Sequence, residues 1–557
     1  MKRRVMSMLA GAILAAAALL APGAPATAAG GRPDVPAEFG TDWHDPVTAA
    51  PPVPKPHTKS CEVTLADAQF RDFTPYKGSY TPPTACGHGR WGKVVLRLDG
   101  KVKGRQFDRL GYLRVGGVEV FRTSTPEPSP DGITWSVEKD VTRYSATLRR
   151  DQPVEMLIGN VVDDTYTGVI DVKATLTFYA PESRKPSSSS SSFSSSRSSS
   201  SSSSSSASVP DQVLPLTDNN TVTTPRNSER LVAEVYATGS GGGCEEYWYL
   251  TVPDAAPYSC KAADGPYREV QISVDGQLAG IATPFPTVWT GGWSNPFLWY
   301  VIPGPRAFDI KPVEYDLTPF AGLLNDGRPH RVDVSVVGVP KGQAGWSTPV
   351  NVLAWQDEKS DHVTGALTRH DAGGLTNKTS YTPGSPGTEH RLDTRGGHRL
   401  TVSGYVDTSH GRVTTTVTRE LAHTSAHSWT DGESKDALTA EWTDRERITS
   451  GGRTTRTHRT YTMDGTTTLG AGDRLRTVLG LGDRAETVTS AHGRRPHRTV
   501  LEDRYAGDAT YTANVPRDQR HAVGTSRERY RLLTDRGCYD RGIATEQGTL
   551  TEDRRRC

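Results

Sequence analysis

The sequence predicts an all-β protein with two jelly-roll or β-sandwich domains and a C-terminal antiparallel β region. Apolar residues alternate with polar ones, as where Val270, Ile272 and Val274 flank Gln271 and Ser273, a period of two that is typical of half-buried strands. Asp-Gly turns at 99–100, 275–276 and 326–327 punctuate such runs. Helical periodicity over about 12 residues is absent outside the N-terminal apolar run.

The N-terminus has the features of a secretory signal peptide. Basic residues at 2–4 precede an apolar run at 9–21 and the small-residue pattern Ala26-Thr27-Ala28. We therefore expect residues 1–28 to be a signal peptide and 29–58, rich in Pro and Ala, to be a loose leader. No later apolar stretch reaches the roughly 20 residues of a membrane span, so we expect a secreted protein without a membrane partner.

Six cysteines fall into three pairs that are local in sequence. An even number in an exported chain favours disulfides, here Cys61 with Cys86, Cys244 with Cys260 and Cys538 with Cys557, although the count leaves other pairings open. No CxxC motif occurs, so a metal site is not expected.

A serine-rich tract at 187–206 marks the clearest domain boundary. Such a composition buries too little apolar surface to offset its ordering entropy, which predicts a disordered linker. It separates an N-terminal β-sandwich at 59–186 from a second one at 207–356. A C-terminal β region, richer in Thr, Arg and Asp, follows at 357–557.

Charge and missing motifs exclude several classes of function. Lys and Arg number 65 against 63 Asp and Glu, so the net charge of +2 gives no footprint for nucleic acid. The sequence lacks GxSxG, HExxH and P-loop motifs, and we expect no cofactor. His423 and His427 lie four residues apart in a strand-like segment, where we predict surface histidines rather than metal ligands.

Five clusters combine carboxylates, arginines and aromatic rings, and they suit a carbohydrate groove. Arginine or lysine neighbours hold carboxylates charged and oriented, and aromatic faces pack on the C–H faces of sugars. Taken singly, each cluster is also compatible with structural ion pairs and buried rings. They lie at 104–109, 122–128, 133–144, 243–249 and 284–296.

Taken together, ten stretches resemble the peptide-N-glycosidase A family, also called peptide-N4-(N-acetyl-β-glucosaminyl)asparagine amidase A. The resemblance covers about 60–557, more thinly in the last third, and the serine tract departs from it. The stretches are YTPP at 80–83, GRQFDR at 104–109, GVEVFRTSTPEP at 117–128, GITWSVEKDVTRYS at 132–145, YTGV at 166–169, CEEYWY at 244–249, PFPTVWTGGWSNPFLW at 284–299, AFD at 307–309, YDLTPF at 315–320 and GCYDR at 537–541.

The resemblance implies an enzyme that hydrolyses the amide between asparagine and the first N-acetylglucosamine. N-glycopeptides or denatured glycoproteins would be its partners, and the products would be a glycosylamine and an aspartyl peptide. Similarity to peptide-N-glycosidase F further implies two jelly rolls with the site between them. We expect a monomer.

Amide hydrolysis without a metal needs a base for water, an acid for the leaving nitrogen and a polarised carbonyl. Asp108 is the candidate base, because Arg105 and Arg109 adjoin it and the Asp-Arg step resembles the peptide-N-glycosidase F site. Arg109 is a second candidate group, for the oxyanion. The candidate acid from the other domain is Glu245 or Glu246; since adjacent strand residues face opposite ways, Glu246 is preferred.

Further polar and aromatic residues are candidates for substrate binding, with Glu127 and Glu138 also held as reserve acids: Arg105, Glu127, Trp135, Glu138, Trp248, Trp289 and Trp293. Two rival functions remain at this point. A glycan-binding lectin or adhesin of the same fold would release no sugar, and a glycoside hydrolase would cut between sugars with its own pair of carboxylates.

Overall fold

The computed structural model describes residues 33–87, 89–182, 209–240, 243–289, 295–343, 345–385 and 388–557. The predicted signal peptide, the serine-rich tract and Trp293 lie outside the described residues. Within the described ranges, no helix has the length and apolar character that crossing a membrane requires.

The first sandwich consists of two four-stranded antiparallel sheets, ordered β1-β8-β3-β6 and β2-β7-β4-β5. This alternation of strands between two sheets is the jelly-roll order. The strands are β1 (Ser60–Phe70), β2 (Tyr76–Tyr80), β3 (Lys93–Lys103), β4 (Leu110–Val115), β5 (Val118–Ser124), β6 (Ile133–Asp140), β7 (Gln152–Ile158) and β8 (Val169–Tyr179).

The second sandwich repeats the same order, since its sheets read β9-β18-β11-β15 and β10-β16-β13-β14. Two jelly rolls are therefore present, as the sequence predicts. The strands are β9 (Gln212–Pro215), β10 (Thr221–Val222), β11 (Ser228–Val235), β12 (Thr238–Gly239), β13 (Glu269–Val274), β14 (Gln277–Ala282), β15 (Val313–Asp316), β16 (His330–Val337), β17 (Trp346–Ser347) and β18 (Val350–Gln356); β12 and β17 form a small separate pair.

The C-terminal region is an antiparallel sheet of eleven strands in which neighbours in sequence are mostly neighbours in space. Leu400, Val402 and Val406 from this sheet share a buried cluster with Val270 and Ile272, so the sheet packs on the second sandwich. Its strands are β19 (Thr364–Ala372), β20 (Thr376–Thr382), β21 (His390–Thr408), β22 (Gly411–Trp429), β23 (Lys435–Ser450), β24 (Arg453–Gly470), β25 (Arg474–Ala491), β26 (His497–Thr512), β27 (Val523–Thr534), β28 (Gly537–Glu546) and β29 (Thr549–Arg555).

Helices among the described residues are short. One α-helix, α1, spans Ala321–Leu324. The 3₁₀ helices are Thr142–Tyr144, Thr147–Arg149, Cys244–Leu250, Pro296–Leu298, Thr318–Phe320, Asp431–Glu433, Ala471–Asp473 and Arg517–Gln519.

The prediction of surface histidines at 423 and 427 is wrong. Both residues are buried, because β22 turns alternate side chains toward the packed face of its sheet. The ring of His423 stacks on Trp442, and Nε2 of His427 lies 2.6 Å from the Asp436 carboxylate. Burial lowers the pKa of His423 to about 3, so it is a neutral core residue.

The segment 33–59 contains no helix or strand, yet it packs on the C-terminal sheet. Trp43 and Ala49 are buried, and the Ala49 amide donates to Glu528 at 2.7 Å. The disulfides Cys61–Cys86, Cys244–Cys260 and Cys538–Cys557 confirm the expected local pairing.

Candidate active site

The loop that carries Asp108 is fixed at both ends. The buried Gln106 donates to the carbonyl of Val161 at 2.9 Å and accepts from Nε of Arg109 at 3.0 Å. Gly104 has φ +99°, and a Cβ there would come within 2.7 Å of the Thr167 hydroxyl. Only glycine allows this approach, so the backbone of the loop is held against the neighbouring 160–168 loop.

The two arginines of the Asp108 loop lie near one aromatic ring, Tyr166. The guanidinium carbons of Arg105 and Arg109 lie 5.6 and 5.8 Å from the centroid of Tyr166. Partial burial lowers the pKa of Arg109, while Asp108, Tyr166 and Glu127 oppose that shift. Asp108 itself is half-buried, and its charge interacts with that of Arg109.

Glu127 lies in the same neighbourhood but in a drier environment. Its side chain is only 7% exposed, and Oε1 has no hydrogen-bond partner among the described residues. Burial raises the pKa of Glu127 well above its usual value; the charge of Asp108 adds to this, and Arg517, Arg520 and Arg105 oppose it. Two neighbouring carboxyl groups thus differ in burial, and burial favours the protonated form of Glu127.

The second sandwich contributes the 3₁₀ helix Cys244–Leu250, where a strand was expected. Glu245 points inward and forms a bidentate ion pair with Arg268, at 2.9 and 2.6 Å, and accepts from Nε1 of Trp346 at 2.6 Å. Both Glu245 and Arg268 are almost fully buried. The observed contacts of Glu245 are therefore a buried ion pair and a hydrogen bond within the second sandwich, which indicate a structural role.

Tyr247 interacts with carboxylates of the first sandwich and with its neighbour Glu246. Burial raises the pKa of the Tyr247 hydroxyl, and Glu246, Asp108 and Glu127 raise it further; the hydroxyl also donates to Glu246. Tyr247 is thus within electrostatic reach of carboxylates from both sandwiches. We call Asp108, Glu127, Glu246 and Tyr247 the acid cluster.

The other predicted residues lie away from the acid cluster or in the core. Trp135 packs flat over Gly100 inside the first sandwich, and Trp248 contacts Trp442 edge-to-face. Glu138 is held on a strand face by Lys55, at 2.6 Å. Trp289 is buried but packs against Leu110, next to the Asp108 loop.

Sequence reasoning missed several groups around Glu127. Tyr166 and Tyr247 belong to stretches that the resemblance includes, but no feature of the sequence separates them from other tyrosines. Tyr300, Arg517 and Arg520 interact electrostatically with Glu127. They come from distant parts of the chain, so their spacing in the sequence does not indicate the contact.

A separate groove lies between the two sandwiches, away from the acid cluster. It has a volume of about 610 Å³ and is lined by residues that include Lys77, Arg114, Glu119 and Asn351. None of the acid cluster lines it, and Arg114 and Glu119 already pair with each other at 3.3 Å. This groove and the acid cluster are therefore separate places on the molecule.

The fold and the acid cluster define a class: proteins of two jelly rolls with carboxylates and arginines gathered where the two meet. Comparison with known proteins identifies the family. A sequence model described as "Peptide N-acetyl-beta-D-glucosaminyl asparaginase amidase A" matches residues 50–373. The chain belongs to this family, as the motifs predict.

One curated relative is the peptide-N4-(N-acetyl-beta-glucosaminyl)asparagine amidase A of Prunus dulcis. It is 32% identical over 384 residues, which cover 65% of this chain and 66% of the relative, just under two thirds of its length. A solved structure of PNGF-II in space group C2 aligns with a TM-score of 0.35 and 13% identity, over 54% of this chain and 66% of that one. That likeness is too remote to carry an argument about the site.

Proposed function

We propose that the protein is a peptide-N-glycosidase. It hydrolyses the amide between asparagine and the first N-acetylglucosamine of N-glycopeptides or denatured glycoproteins, and it releases the glycan whole. The observation that carries this proposal is the pairing of the buried Glu127 with the more exposed Asp108, in a chain of the amidase A family. The relative from Prunus dulcis is named for the same reaction.

Asp108 acts as the base and Glu127 as the acid. Asp108 removes a proton from water, whose oxygen bonds to the side-chain carbonyl carbon of the substrate asparagine. The carbon–nitrogen bond then breaks as Glu127 donates its proton to the departing nitrogen. One water is consumed, and the products are an aspartyl side chain and a glycosylamine. The burial of Glu127, which raises the pKa of its carboxyl, suits it to hold and donate this proton.

The surrounding groups hold the substrate. The half-buried guanidinium of Arg109 stabilises negative charge on the carbonyl oxygen as the water adds. Glu246, rather than the clamped Glu245, serves from the second sandwich with Tyr247 as a hydrogen-bonding pair for sugar hydroxyls. Phe107, which is 45% exposed and 5.2 Å from the Tyr166 ring, offers an apolar face beside Asp108.

The mature protein acts outside the cell as a monomer. Three disulfides fit an oxidising compartment, and the N-terminal sequence carries the features of an export signal. The balanced net charge offers no broad basic surface for nucleic acid.

The products of a purified glycopeptide test the proposal. A peptide that loses its whole glycan and gains about 1 Da has had asparagine converted to aspartate, as amide hydrolysis requires. A remaining sugar stub would instead assign a glycoside hydrolase, and an unchanged mass with intact glycopeptide binding would assign a lectin. The measurement covers pH 4 to 8, roughly the range over which carboxyl groups with ordinary or raised pKa values change state.

A further inference from the structure

The loop 513–522 joins β26 and β27 of the C-terminal sheet and lies outside the residues 50–373 that the family model matches. Its backbone is well anchored. The carbonyl of Arg520 accepts from the Thr512 amide at 2.7 Å and from Nη1 of Arg474 at 3.0 Å, and the Ala522 carbonyl accepts from the Phe39 amide at 2.7 Å. The arginines in this loop are thus presented from a fixed backbone.

Arg517 completes a stack that joins three distant parts of the chain. Its guanidinium carbon lies 4.8 Å from the ring centroid of Trp43, in the N-terminal segment. Trp43 in turn stacks on Tyr300, with centroids 4.0 Å apart and planes 4° from parallel. A guanidinium over an indole face is a favourable arrangement, so the stack orders Arg517 although that residue is exposed.

Arg520 lies deeper. Its guanidinium carbon is 5.8 Å from the Tyr511 centroid, and its Nε is buried without a hydrogen-bond partner among the described residues. Glu127 Oε1 is in the same condition. A buried donor and a buried acceptor that both lack partners cost free energy in a folded protein, and a catalytic role is one reason for such groups to persist.

Glu127 is surrounded by charged and titratable groups from all three parts of the molecule. The cations that interact with its carboxyl are Arg105 and Arg109 from the first sandwich and Arg517 and Arg520 from the loop 513–522. The other groups are Asp108, Tyr247, Tyr300 and Tyr511. The loop thus supplies two of these four cations, and both lower the pKa of Glu127 more than Arg105 does.

We propose that the C-terminal sheet completes the active site, with Arg517 and Arg520 as positioning residues that set the charge state and orientation of Glu127. The inference rests on the proposed hydrolysis and deepens it. Burial and Asp108 both favour a protonated Glu127, and a carboxyl that holds its proton too tightly is a poor acid. The two guanidiniums offset this effect and keep Glu127 able to release its proton to the leaving nitrogen.

Glutamine replacements of the two arginines test this role through the pH profile of kcat/KM on a glycopeptide. For Arg517→Gln, Arg520→Gln and the double variant, we expect the alkaline limb to move to higher pH and kcat to fall, most in the double variant. Arg520→Lys should restore part of the shift. Arg494→Gln, in the exposed turn between β25 and β26 at the opposite end of the same strands, is the matched control and should follow the wild type.

A double-mutant cycle measured by melting temperature tests the interaction between Arg520 and Glu127 without an activity assay. We expect Arg520→Gln and Glu127→Gln to have non-additive effects, since the two groups interact. Additive effects, a superimposed pH profile, or a raised KM with an unmoved alkaline limb would each overturn the inference. Non-additive effects in a protein that releases no glycan would instead leave the pairing standing and overturn the proposed hydrolysis.

Discussion

Asp108 and Glu127 share a neighbourhood, yet one is half-buried beside arginines and the other is almost fully buried. If Asp108 is the base, Asp108→Asn removes proton abstraction and leaves the surface shape unchanged. We expect activity to fall by about 10²- to 10⁴-fold with an unchanged melting temperature. Asp99→Asn, an exposed residue paired with Arg97, is the control and should keep full activity. Equal activity in the two variants would remove Asp108 from the mechanism.

The raised pKa of Glu127 has consequences for activity and for stability. The acid form of Glu127 is present below that pKa and is lost as the pH rises through it, which produces the alkaline limb of the wild-type activity profile. In Glu127→Gln we expect most activity to be lost, and the remaining activity to show no such limb. In the folded state Glu127 binds a proton that the unfolded chain has already released, so rising pH above the usual range of a carboxyl destabilises the wild type.

Melting curves measured across pH test whether rising pH destabilises the wild type through Glu127. We expect Glu127→Gln to gain melting temperature relative to the wild type as the pH increases. If the wild type instead becomes more stable than the variant as the pH increases, the folded protein stabilises Glu127 as a carboxylate.

At the scale of elements, the 3₁₀ helix Cys244–Leu250 separates two adjacent glutamates by role. Glu245→Gln leaves the buried Arg268 without its counter-charge, so we expect a loss of about 3–5 kcal/mol in the free energy of unfolding. Glu246→Gln should leave unfolding unchanged and raise KM, because the proposed function assigns that side chain to substrate binding. Denaturant unfolding and steady-state kinetics on both variants measure this. A stable Glu245→Gln variant with low activity would exchange the two roles.

Strand periodicity and turn residues predict most of the fold, because each sandwich has one buried face per strand and residues such as Val270 and Ile272 reveal it locally. The alternation of apolar and polar residues misleads where a strand face that carries polar residues is also packed against another part of the protein. His423 and His427 look like surface residues in sequence, but the strand face that carries them is packed in the folded protein.

The candidate site was predictable only in part. Asp108 and Glu127 stand out because each lies in a dense polar cluster that resembles a known family. Arg517 and Arg520 do not, because their proximity to Glu127 depends on how a separate sheet packs. Tryptophan content does not separate the core from the site either. Trp135 and Trp248 are buried, since large rings bury apolar area wherever the core allows, and their role in sugar binding stays a prediction.

At the scale of the whole molecule, a buried carboxyl pair connects the N-terminal segment to the C-terminal sheet. Glu528 accepts the Ala49 amide and shares a hydrogen bond with Asp503; burial raises the pKa of Glu528 to about 7. Arg541 opposes the shift at Glu528, and Asp483 and Arg306 act on Asp503. The folded protein therefore holds extra protons between the usual carboxyl range and neutral pH, and this stabilisation is lost as the pH rises through about 7.

Glu528→Gln keeps an acceptor for the Ala49 amide but cannot ionise. We expect its melting temperature, relative to the wild type, to rise as the pH goes from 5 to 8, a range set roughly by the ordinary and raised carboxyl pKa values. Glu546→Gln, on the neighbouring β28, is the control. A constant difference between Glu528→Gln and the wild type across this range would show that the pair does not share a proton.

The central claim is that water adds to the asparagine carbonyl in a cleft where Asp108 is the base. Digestion of a glycopeptide in water enriched in oxygen-18 tests it most directly. The account predicts that the released peptide gains about 3 Da instead of about 1 Da, because the label enters the new aspartyl carboxylate, and that Asp108→Asn gives little labelled peptide. An unlabelled asparagine peptide, with the label in the sugar, would place the break on the other side of the nitrogen and contradict the account.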